Sequence, residues 1–390
     1  MITDRFDFAS AGRILFGRGR IAELPDLIKP SGKKVMLVTG GHPGRHDSLR
    51  ILLEKAGISV AVESVSGEPT VRRVSEITDS ILRQQCEVVA GIGGGSVIDA
   101  AKAAAALANN PGDIMDYLEV VGAGKPLPQP ALPYIAIPTT AGTGAEVTKN
   151  SVITVPEQHV KVSLRSPFML PRFALVDPDL ALECPPEVSV NCGFDALCHL
   201  IEAYLSAKAT PMSDAVCREG LSRMGGGALV LHWMRPEDPN VMVNVSLGSL
   251  LGGMALANGG LGAVHGFAGV IGGMTGAPHG AVCAALLPAV LRMNLDIACQ
   301  GKQPLCRQTM ARINETALML SRDVNSKTQD LITLIENMST QQNVAGLEKL
   351  GVKRAEFPVI IEKSSRASSM KGNPFLLTAE QLFQILDESF

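Results

Sequence analysis

Short apolar runs alternate with amphipathic stretches in the first half of the chain. The run Lys34–Thr39 ends at Gly40-Gly41, which predicts a buried strand followed by a turn. The same pattern predicts further strands at residues 58–62, 87–92 and 134–137, and it predicts helices at residues 47–55, 71–85 and 96–109. Because strands that alternate with helices form parallel sheets covered on both faces, we expect an α/β domain here.

The pattern changes after Asp177-Pro178-Asp179, where strand-like runs stop. Helical periodicity then fills residues 190–390, and the sequence Thr378-Ala-Glu-Gln381 is a capping box that predicts the start of a last helix. Helix breaks are expected at Pro211, Pro236–Pro239, Pro278 and Pro288. The predicted organisation is an α/β domain at residues 1–185 followed by an all-helical domain at residues 186–390.

Composition excludes several classes of protein. The 390 residues carry a net charge of −3 with no basic run, which argues against a nucleic-acid partner. None of the eight cysteines forms a CxxC pair, so we expect them to be reduced and mostly buried. The start, MITDRFDFAS, lacks the pattern of a signal peptide, and a cytoplasmic location is expected.

One long segment is apolar enough to raise the question of a membrane. No Asp, Glu, Lys or Arg occurs between Asp238 and Arg292, but many glycines, Asn258, Pro278 and two histidines interrupt the segment. We therefore interpret it as buried helices around a site, and we expect no membrane partner.

A glycine-rich loop follows the predicted third strand, in EVVAGIGGGSVIDAAK at residues 87–102. Glycines let a ligand approach the backbone, and a helix N-terminus offers free N–H groups, so Gly94, Gly95 and Ser96 predict a diphosphate site. The alternative is a tight strand–helix turn. Lys102 either touches phosphate or pairs with an acidic neighbour such as Asp99.

A second polar loop, PTTAGTGAEVT at residues 138–148, follows the predicted fourth strand. The hydroxyl groups of Thr139, Thr140 and Thr143 suit hydrogen bonds to ribose, phosphate or an amide. The alternative is a turn whose threonines bond to their own backbone.

Asp195 and His199 stand four residues apart in an apolar helical stretch, so both project from one face. His265 and His279 lie in the segment that contains no Asp, Glu, Lys or Arg. Three imidazoles and one carboxylate suit a divalent iron or zinc ion without a thiolate. Cys198 is interpreted as a packing residue. The four remaining histidines are expected in surface or loop positions: His42, His46, His159 and His232.

The motifs together resemble the iron-containing (group III) alcohol dehydrogenase family. The matching segments include GIGGGSVIDAAK, IPTTAGTGAEVT, GFDALCHLIEAYLS, GLGAVHGFAG and APHGAVCAALLP, and they occur in family order along nearly the whole chain. The resemblance implies a dinucleotide-binding α/β domain followed by an all-helical metal-binding domain, the dehydroquinate synthase-like fold. It also implies metal ligation, and catalysis through the metal, by Asp195, His199, His265 and His279.

The same resemblance implies a set of cofactor contacts. Gly94, Gly95 and Ser96 match the diphosphate loop, and Asp99 matches an acidic position near the cofactor. Thr139, Thr140 and Thr143 match residues that contact the nicotinamide half and the phosphates, and Lys161 matches a lysine near the ribose.

Three positions depart from the family pattern. Many members carry a second histidine where this chain has Gly269, often assigned to proton transfer. Members strict for NAD often carry an aspartate after the first strand, where this chain has Gly40; glycine does not repel a 2′-phosphate, so NADP is compatible as well as NAD. Glu68 stands where some members have asparagine, and it favours NAD by holding a ribose hydroxyl.

The expected activity is hydride transfer between NAD(P) and a small, uncharged alcohol or aldehyde, with Fe²⁺ or Zn²⁺ polarising the substrate oxygen. We expect the pocket between the two domains and a homo-oligomer, a dimer or larger. Two alternatives are a metal-dependent sugar-phosphate cyclase on the same frame and a non-catalytic metal- or nucleotide-binding protein. A cyclase needs basic residues for its anionic substrate, and the site segment has none.

Overall fold

The structure, a computed structural model, describes residues 5–158 and 160–390. The chain forms two compact units. Ser10–Cys184 form an α/β unit, and Pro185–Phe390 form a helical unit together with a short N-terminal segment that ends at Ala9. The expectation for His159 lies outside the described residues.

The α/β unit contains eight strands and five α-helices among its described residues. The strands are β1 (Arg13–Phe16), β2 (Lys34–Gly40), β3 (Ser59–Val65), β4 (Val88–Gly93), β5 (Tyr134–Pro138), β6 (Asn150–Val155), β7 (Val160–Arg165) and β8 (Phe173–Val176). The helices are α1 (Leu24–Ile28), α2 (Asp47–Lys55), α3 (Val71–Gln84), α4 (Gly95–Leu107) and α5 (Ile114–Tyr117).

Six of these strands form one parallel sheet in the order β1-β8-β5-β4-β2-β3. Alternate residues of β2 point to opposite faces: Val35 and Leu37 join one core with α1 and α2, whereas Met36 and Val38 join another with α3 and α4. Both faces are therefore buried, which confirms the predicted parallel sheet. The strand order reverses between β2 and β4, the usual position of a ligand crevice in such sheets.

Four strands were not predicted from the sequence. The strands β1 and β8 have four residues each, too few to show a period. The other two, β6 and β7, form an antiparallel hairpin whose residues alternate between buried and partly exposed positions. The predicted turn at Gly40 is also displaced, because Gly40 is the last residue of β2 and pairs with Val65 of β3.

The helical unit contains ten α-helices and no strand among its described residues. They are α6 (Pro186–Leu205), α7 (Pro211–Met224), α8 (Ala228–Met234), α9 (Pro239–Gly259), α10 (Ala263–Thr275), α11 (His279–Gln300), α12 (Cys306–Ser321), α13 (Thr328–Gln341), α14 (Phe357–Ser365) and α15 (Ala379–Glu388). The capping box that opens α15 is confirmed, since Thr378 and Gln381 exchange side-chain-to-backbone hydrogen bonds of 3.2 and 2.9 Å.

One predicted helix break is wrong, because α11 continues through Pro288. Proline inside a helix removes one backbone hydrogen bond and costs about 3 kcal/mol. Most of α11 is buried against α6, α10, α12, α13 and α15, and this packing offsets the cost. The breaks at Pro211 and Pro278 are confirmed, since α7 begins at Pro211 and α11 begins directly after Pro278.

Two helices in the described part of the chain, α9 and α11, are long and apolar enough to cross a membrane by length and composition alone. The core helix of a soluble protein passes the same test, and α11 is mostly buried within this unit. All eight cysteines are free thiols and five are buried, as expected.

Candidate metal centre and nucleotide-binding edge

The helix α6 carries three buried ionisable side chains on one face. Asp195, His199 and Glu202 are each no more than 5% exposed, and their spacings of four and three residues bring them together along the helix. A buried carboxylate requires a charged or hydrogen-bonding partner. The helices α10 and α11 supply such partners, His265 and His279.

His265 and His279 stand at the starts of α10 and α11, where two loops bring the helix ends toward α6. Close approach at this point depends on Gly262, which precedes α10. A Cβ atom on Gly262 would lie 2.8 Å from Glu202 Oε1, so no other residue fits without displacing that carboxylate.

The donor atoms of the four predicted ligands converge on one oxygen. Asp195 Oδ1 lies 3.3 Å from His265 Nε2, 3.7 Å from His199 Nε2 and 3.7 Å from His279 Nε2. Two donors that bind one tetrahedral ion at about 2.1 Å are about 3.4 Å apart. The three distances from Asp195 Oδ1 therefore suit donors to one divalent metal ion, although the donors that all lie within 4.8 Å of one another include Asp195, His265 and His279 but not His199.

Glu202 orients one of these imidazoles and was missed in the sequence. His265 Nδ1 donates to Glu202 Oε2 at 2.7 Å, and Val264 N donates to Glu202 Oε1 at 2.6 Å. This hydrogen bond leaves Nε2 as the atom that faces Asp195, an arrangement common around metal-bound histidines. Glu202 follows Asp195 by seven residues, about two helical turns, and this spacing is the feature of the sequence that could have identified it.

Charge in the cluster follows from these contacts. Burial favours the neutral acid of Asp195, but the imidazoles of His199, His265 and His279 outweigh burial and hold its pKa well below the usual range. Burial also opposes a charged His265, yet its contacts with Cys283, Asp195 and Glu202 raise its pKa well above the ordinary value. The carboxylate of Asp195 is thus stabilised by positive charge close to it, and a bound cation would supply that charge in place of the imidazole protons.

Cys283 is a further member of the cluster that the sequence reasoning did not include. One ligand atom from each of Asp195, His265, His279 and Cys283 lies within 4.8 Å of the other three. The prediction of a site that needs no thiolate remains a prediction, but Cys283 Sγ is close enough to be a further candidate donor. Cys283 follows His279 by four residues, and this spacing in the sequence already places both side chains on one helix face.

The prediction for Cys198 as a packing residue is confirmed, since it is buried and its Sγ donates to the carbonyl oxygen of Cys283 at 3.8 Å. The expectation of a surface or loop position is wrong for His232, which is buried in α8 and bonds through Nε2 to Ser189 Oγ at 2.6 Å. His42 is exposed and His46 partly exposed, as expected.

In the α/β unit, the predicted cofactor loops follow three neighbouring strands. Because β5, β4 and β2 are adjacent and parallel, the loop at Thr139–Thr143, the loop at Gly94–Ser96 and the residue Gly40 lie at one edge of the sheet. Thr139 N donates to Gly93 O at 2.9 Å and joins the first two loops directly.

The glycine-rich loop caps α4 without a side chain. Gly94 is the N-cap residue, and Gly95 and Ser96 are the first two residues of the helix, whose N–H groups have no partner within it. A Cβ atom on Gly95 would lie 2.7 Å from Thr143 Cγ2, whereas one on Gly94 would lie 3.4 Å from Thr140 Cγ2. The two predicted loops therefore pack against each other, and Gly95 is the residue with no room for a side chain.

Lys102 pairs with protein groups rather than projecting into the loop. Its buried Nζ donates to Ala145 O, Thr148 Oγ1 and Asn150 O at 2.7 to 3.0 Å and lies 3.7 Å from Asp99 Oδ1. Of the two roles that the sequence left open, pairing with an acidic neighbour is the one observed.

Asp99 uses one oxygen for a hydrogen bond and the other for an ion pair. Its Oδ2 accepts from Val152 N at 2.8 Å, whereas its buried Oδ1 faces Lys102 Nζ at 3.7 Å. Burial raises the pKa of Asp99 to about 6, even though Lys102 lies nearby.

Lys161 stands on β7, where its Nζ lies 3.1 Å from Glu68 Oε1. Two residues that the sequence relates to the ribose therefore form an ion pair. Gly40, the position discussed for NADP, has open space around its Cβ position. Arg45, which follows it closely in sequence, has its Nε atom 4.0 Å from Glu183 Oε2.

Comparison with known proteins agrees with this architecture. The family profile "Iron-containing alcohol dehydrogenase" matches residues 11–178, and its C-terminal counterpart matches residues 189–390. Alcohol dehydrogenase 4 of Saccharomyces cerevisiae is 32% identical over 383 residues, 96% of each chain. The chain therefore belongs to the iron-containing alcohol dehydrogenase family, and it is an oxidoreductase of alcohols or aldehydes.

Solved structures give the same result. A 1,3-propanediol oxidoreductase superposes with a TM-score of 0.90 at 29% identity, covering 99% of this chain and all of that one. Sulfoacetaldehyde reductase from Bifidobacterium kashiwanohense, solved in complex with NAD⁺, superposes with a TM-score of 0.87 at 26% identity, covering 99% and 98%.

Proposed function

We propose that Asp195, His199, His265 and His279 hold a divalent cation, Fe²⁺ or alternatively Zn²⁺, at which the alcohol or aldehyde reacts. The observation that carries this proposal is the convergence of three Nε2 atoms on Asp195 Oδ1 at 3.3 to 3.7 Å. Glu202 is a positioning residue, since it fixes the orientation of His265 through Nδ1.

When bound, the cation supplies Lewis acidity that lowers the pKa of an alcohol, and a nicotinamide dinucleotide supplies or accepts the hydride. The chain itself binds and orients. The buried side chains of Asp195, His199 and His265 provide fixed donors, and the partly exposed His279 lies at the open side of the cluster.

The cofactor proposed here is NAD, with NADP as a second substrate. Backbone N–H groups at Gly95 and Ser96 suit a diphosphate, and the hydroxyls of Thr139, Thr140 and Thr143 lie in the adjoining loop. Gly40 presents no charge against a 2′-phosphate. Lys161 and Asp99, which match family positions near the cofactor, complete the set.

The substrate proposed is small and uncharged. Residues 239–291, which include His265 and His279, contain no Asp, Glu, Lys or Arg. This segment therefore offers no such side chain to bind an anionic or cationic group of a substrate. This absence also disfavours a sugar-phosphate cyclase. We further propose a cytoplasmic homo-oligomer.

The proposed proton route does not use a side chain at position 269. Gly269, at the position where many family members carry histidine, is exposed on α10 with open space at its Cβ position. A glycine has no side-chain group that accepts or donates a proton.

The test is an absorbance assay of NADH and NADPH with a panel of alcohols and aldehydes, on purified protein of measured metal content. Turnover of small neutral substrates that scales with iron or zinc content supports the proposal. Full turnover in metal-free protein, or a preference for anionic aldehydes, contradicts it. Asp195→Ala and His232→Ala provide a matched pair, since both residues are buried but only the first belongs to the cluster.

A further inference from the structure

Cys283 lies among the donor atoms of the metal centre, and the function proposed above does not use it. Its side chain is fully buried, and it follows His279 by four residues on α11, so both side chains leave one face of the helix. Its Sγ lies 3.8 Å from His265 Nε2 and within 4.8 Å of the ligand atoms of Asp195 and His279.

This separation matches that of two ligands of one ion. A thiolate binds zinc at about 2.3 Å and an imidazole at about 2.0–2.1 Å, so two such donors on one ion are about 3.1 to 3.8 Å apart for angles of about 90 to 120° between the bonds. Sulfur and nitrogen here are 3.8 Å apart. A side-chain adjustment of a few tenths of an ångström is sufficient for both to bind the same cation.

A second buried cysteine shows the alternative arrangement. Cys198 precedes His199 on α6, but its Sγ is occupied by the carbonyl oxygen of Cys283 and it does not belong to the donor cluster. The two thiols are thus equally buried and differ in what they face. This difference makes Cys198 the matched control for Cys283.

We propose that Cys283 is a sulfur ligand of the metal centre and that the site therefore holds a thiophilic divalent ion more tightly than its aspartate and histidines alone would. The proposal rests on the proposed metal centre. On binding, the sulfur lone pair forms the bond to the cation and the thiol proton leaves to solvent, without any change of oxidation state. Soft sulfur ligands favour zinc over the iron that the family name implies.

The experiment uses X-ray absorption spectroscopy of the full chain, stripped of metal and reloaded with one equivalent of Zn²⁺. The expected spectrum contains one sulfur scatterer at about 2.3 Å beside nitrogen and oxygen scatterers at about 2.0–2.2 Å. Cys283→Ser loses the sulfur scatterer, and Cys198→Ser retains it. The Co²⁺-loaded protein shows a thiolate-to-cobalt charge-transfer band that Cys283→Ser abolishes and Cys198→Ser does not.

Competition between metals gives a second readout. Cys283→Ser is expected to lower the ratio of zinc to iron affinity by about tenfold or more, because a hydroxyl replaces the soft donor. An unchanged ratio contradicts the proposal.

The wild-type spectrum alone decides the matter if a variant fails to fold. A shell of nitrogen and oxygen only, with stoichiometric zinc that Asp195→Ala abolishes, overturns the role of Cys283 and leaves the metal centre intact. Failure to bind zinc, or zinc binding that Asp195→Ala does not change, overturns both.

Discussion

The candidate nucleotide-binding edge and the candidate metal centre are assembled in different ways. At the edge of the sheet, the residues lie within short loops, and glycines leave the backbone N–H groups at the start of α4 uncovered. In the metal centre, side chains from α6, α10 and α11 meet although they are far apart in sequence. Adding atoms should therefore damage the first site, and removing atoms should damage the second.

The largest effect is expected from removing a donor. Asp195→Ala and His279→Ala should each lose the bound metal and lower kcat/KM by at least about 1,000-fold, because each substitution removes a direct donor to the cation. Metal analysis beside steady-state kinetics checks this result. His232→Ala, which removes a buried histidine outside the cluster, should keep its metal; full metal occupancy in Asp195→Ala would refute the ligand assignment.

Adding atoms to the loop gives the complementary result. Gly95→Val should weaken NAD binding by about 100-fold with metal content unchanged, because even its Cβ would stand 2.7 Å from Thr143 Cγ2 and would displace the second loop. Calorimetric titration with NAD measures the change. Unaltered affinity would show that the loop does not bind the diphosphate.

Glu146 lies next to the predicted threonine loop, and its substitution tests the stability of this region rather than cofactor binding. It is buried in a short 3₁₀ helix, Ala145–Val147, and burial raises its pKa from 4.5 to about 7. The folded state keeps its proton where the unfolded state has lost it, so this group costs stability as pH rises from about 4.5 to about 7.

Glu146→Gln should remove that cost. Relative to wild type, the variant should gain on the order of 2 kcal/mol of unfolding free energy between pH 5 and pH 8, with no further gain at higher pH. Thermal unfolding in matched buffers tests this. Glu157→Gln, which removes an exposed carboxylate, is the control, and parallel profiles for both variants would argue against the shift.

A smaller effect is expected at the ribose end of the edge. Gly40→Asp has open space for its side chain and should lower kcat/KM for NADP by about tenfold while sparing NAD, because the new carboxylate repels a 2′-phosphate across screened solvent. Rates with both cofactors decide the point. Equal losses would mean that residue 40 does not face the ribose.

The smallest effect is expected on stability, from alanine substitutions at two glycines of α10. Gly269→Ala should stabilise the helical unit by about 0.5–1 kcal/mol, since its Cβ would meet nothing within 4 Å. Gly266→Ala should destabilise it, because its Cβ would lie 2.8 Å from Met370 Cε and also 3.2 and 3.4 Å from Met370 Cβ and Cα, which cannot rotate away. Thermal midpoints of the two variants should therefore move in opposite directions, and a shift in the same direction would contradict this reasoning.

The sequence predicted contiguous features better than assembled ones. Four of the sheet strands and the helix of Asp195 and His199 have periods long enough to be recognised. The β6–β7 hairpin has little apolar contrast, and the continuation of α11 through Pro288 depends on tertiary packing that no local pattern expresses.

The same distinction applies within the metal centre. The four predicted donors were identified from residue type and motif, whereas Glu202 and Cys283 required knowledge of which faces of three helices meet. Each lies at helical spacing from a predicted ligand. Carboxylates and thiols at such spacing are common in helices, and only the fold shows which of them point inward.

The N-terminal segment contacts a part of the chain that is synthesised much later, so it takes its final position late in folding. Ala9 exchanges two backbone hydrogen bonds with the side-chain amide of Asn258, at 2.7 and 2.9 Å, across 249 positions of sequence. At roughly 5–20 residues per second, the ribosome takes about 10 to 50 s to synthesise the second partner after the first. The beginning of the chain is therefore among the last parts to find its place, while residues 10–184 emerge early enough to fold before it.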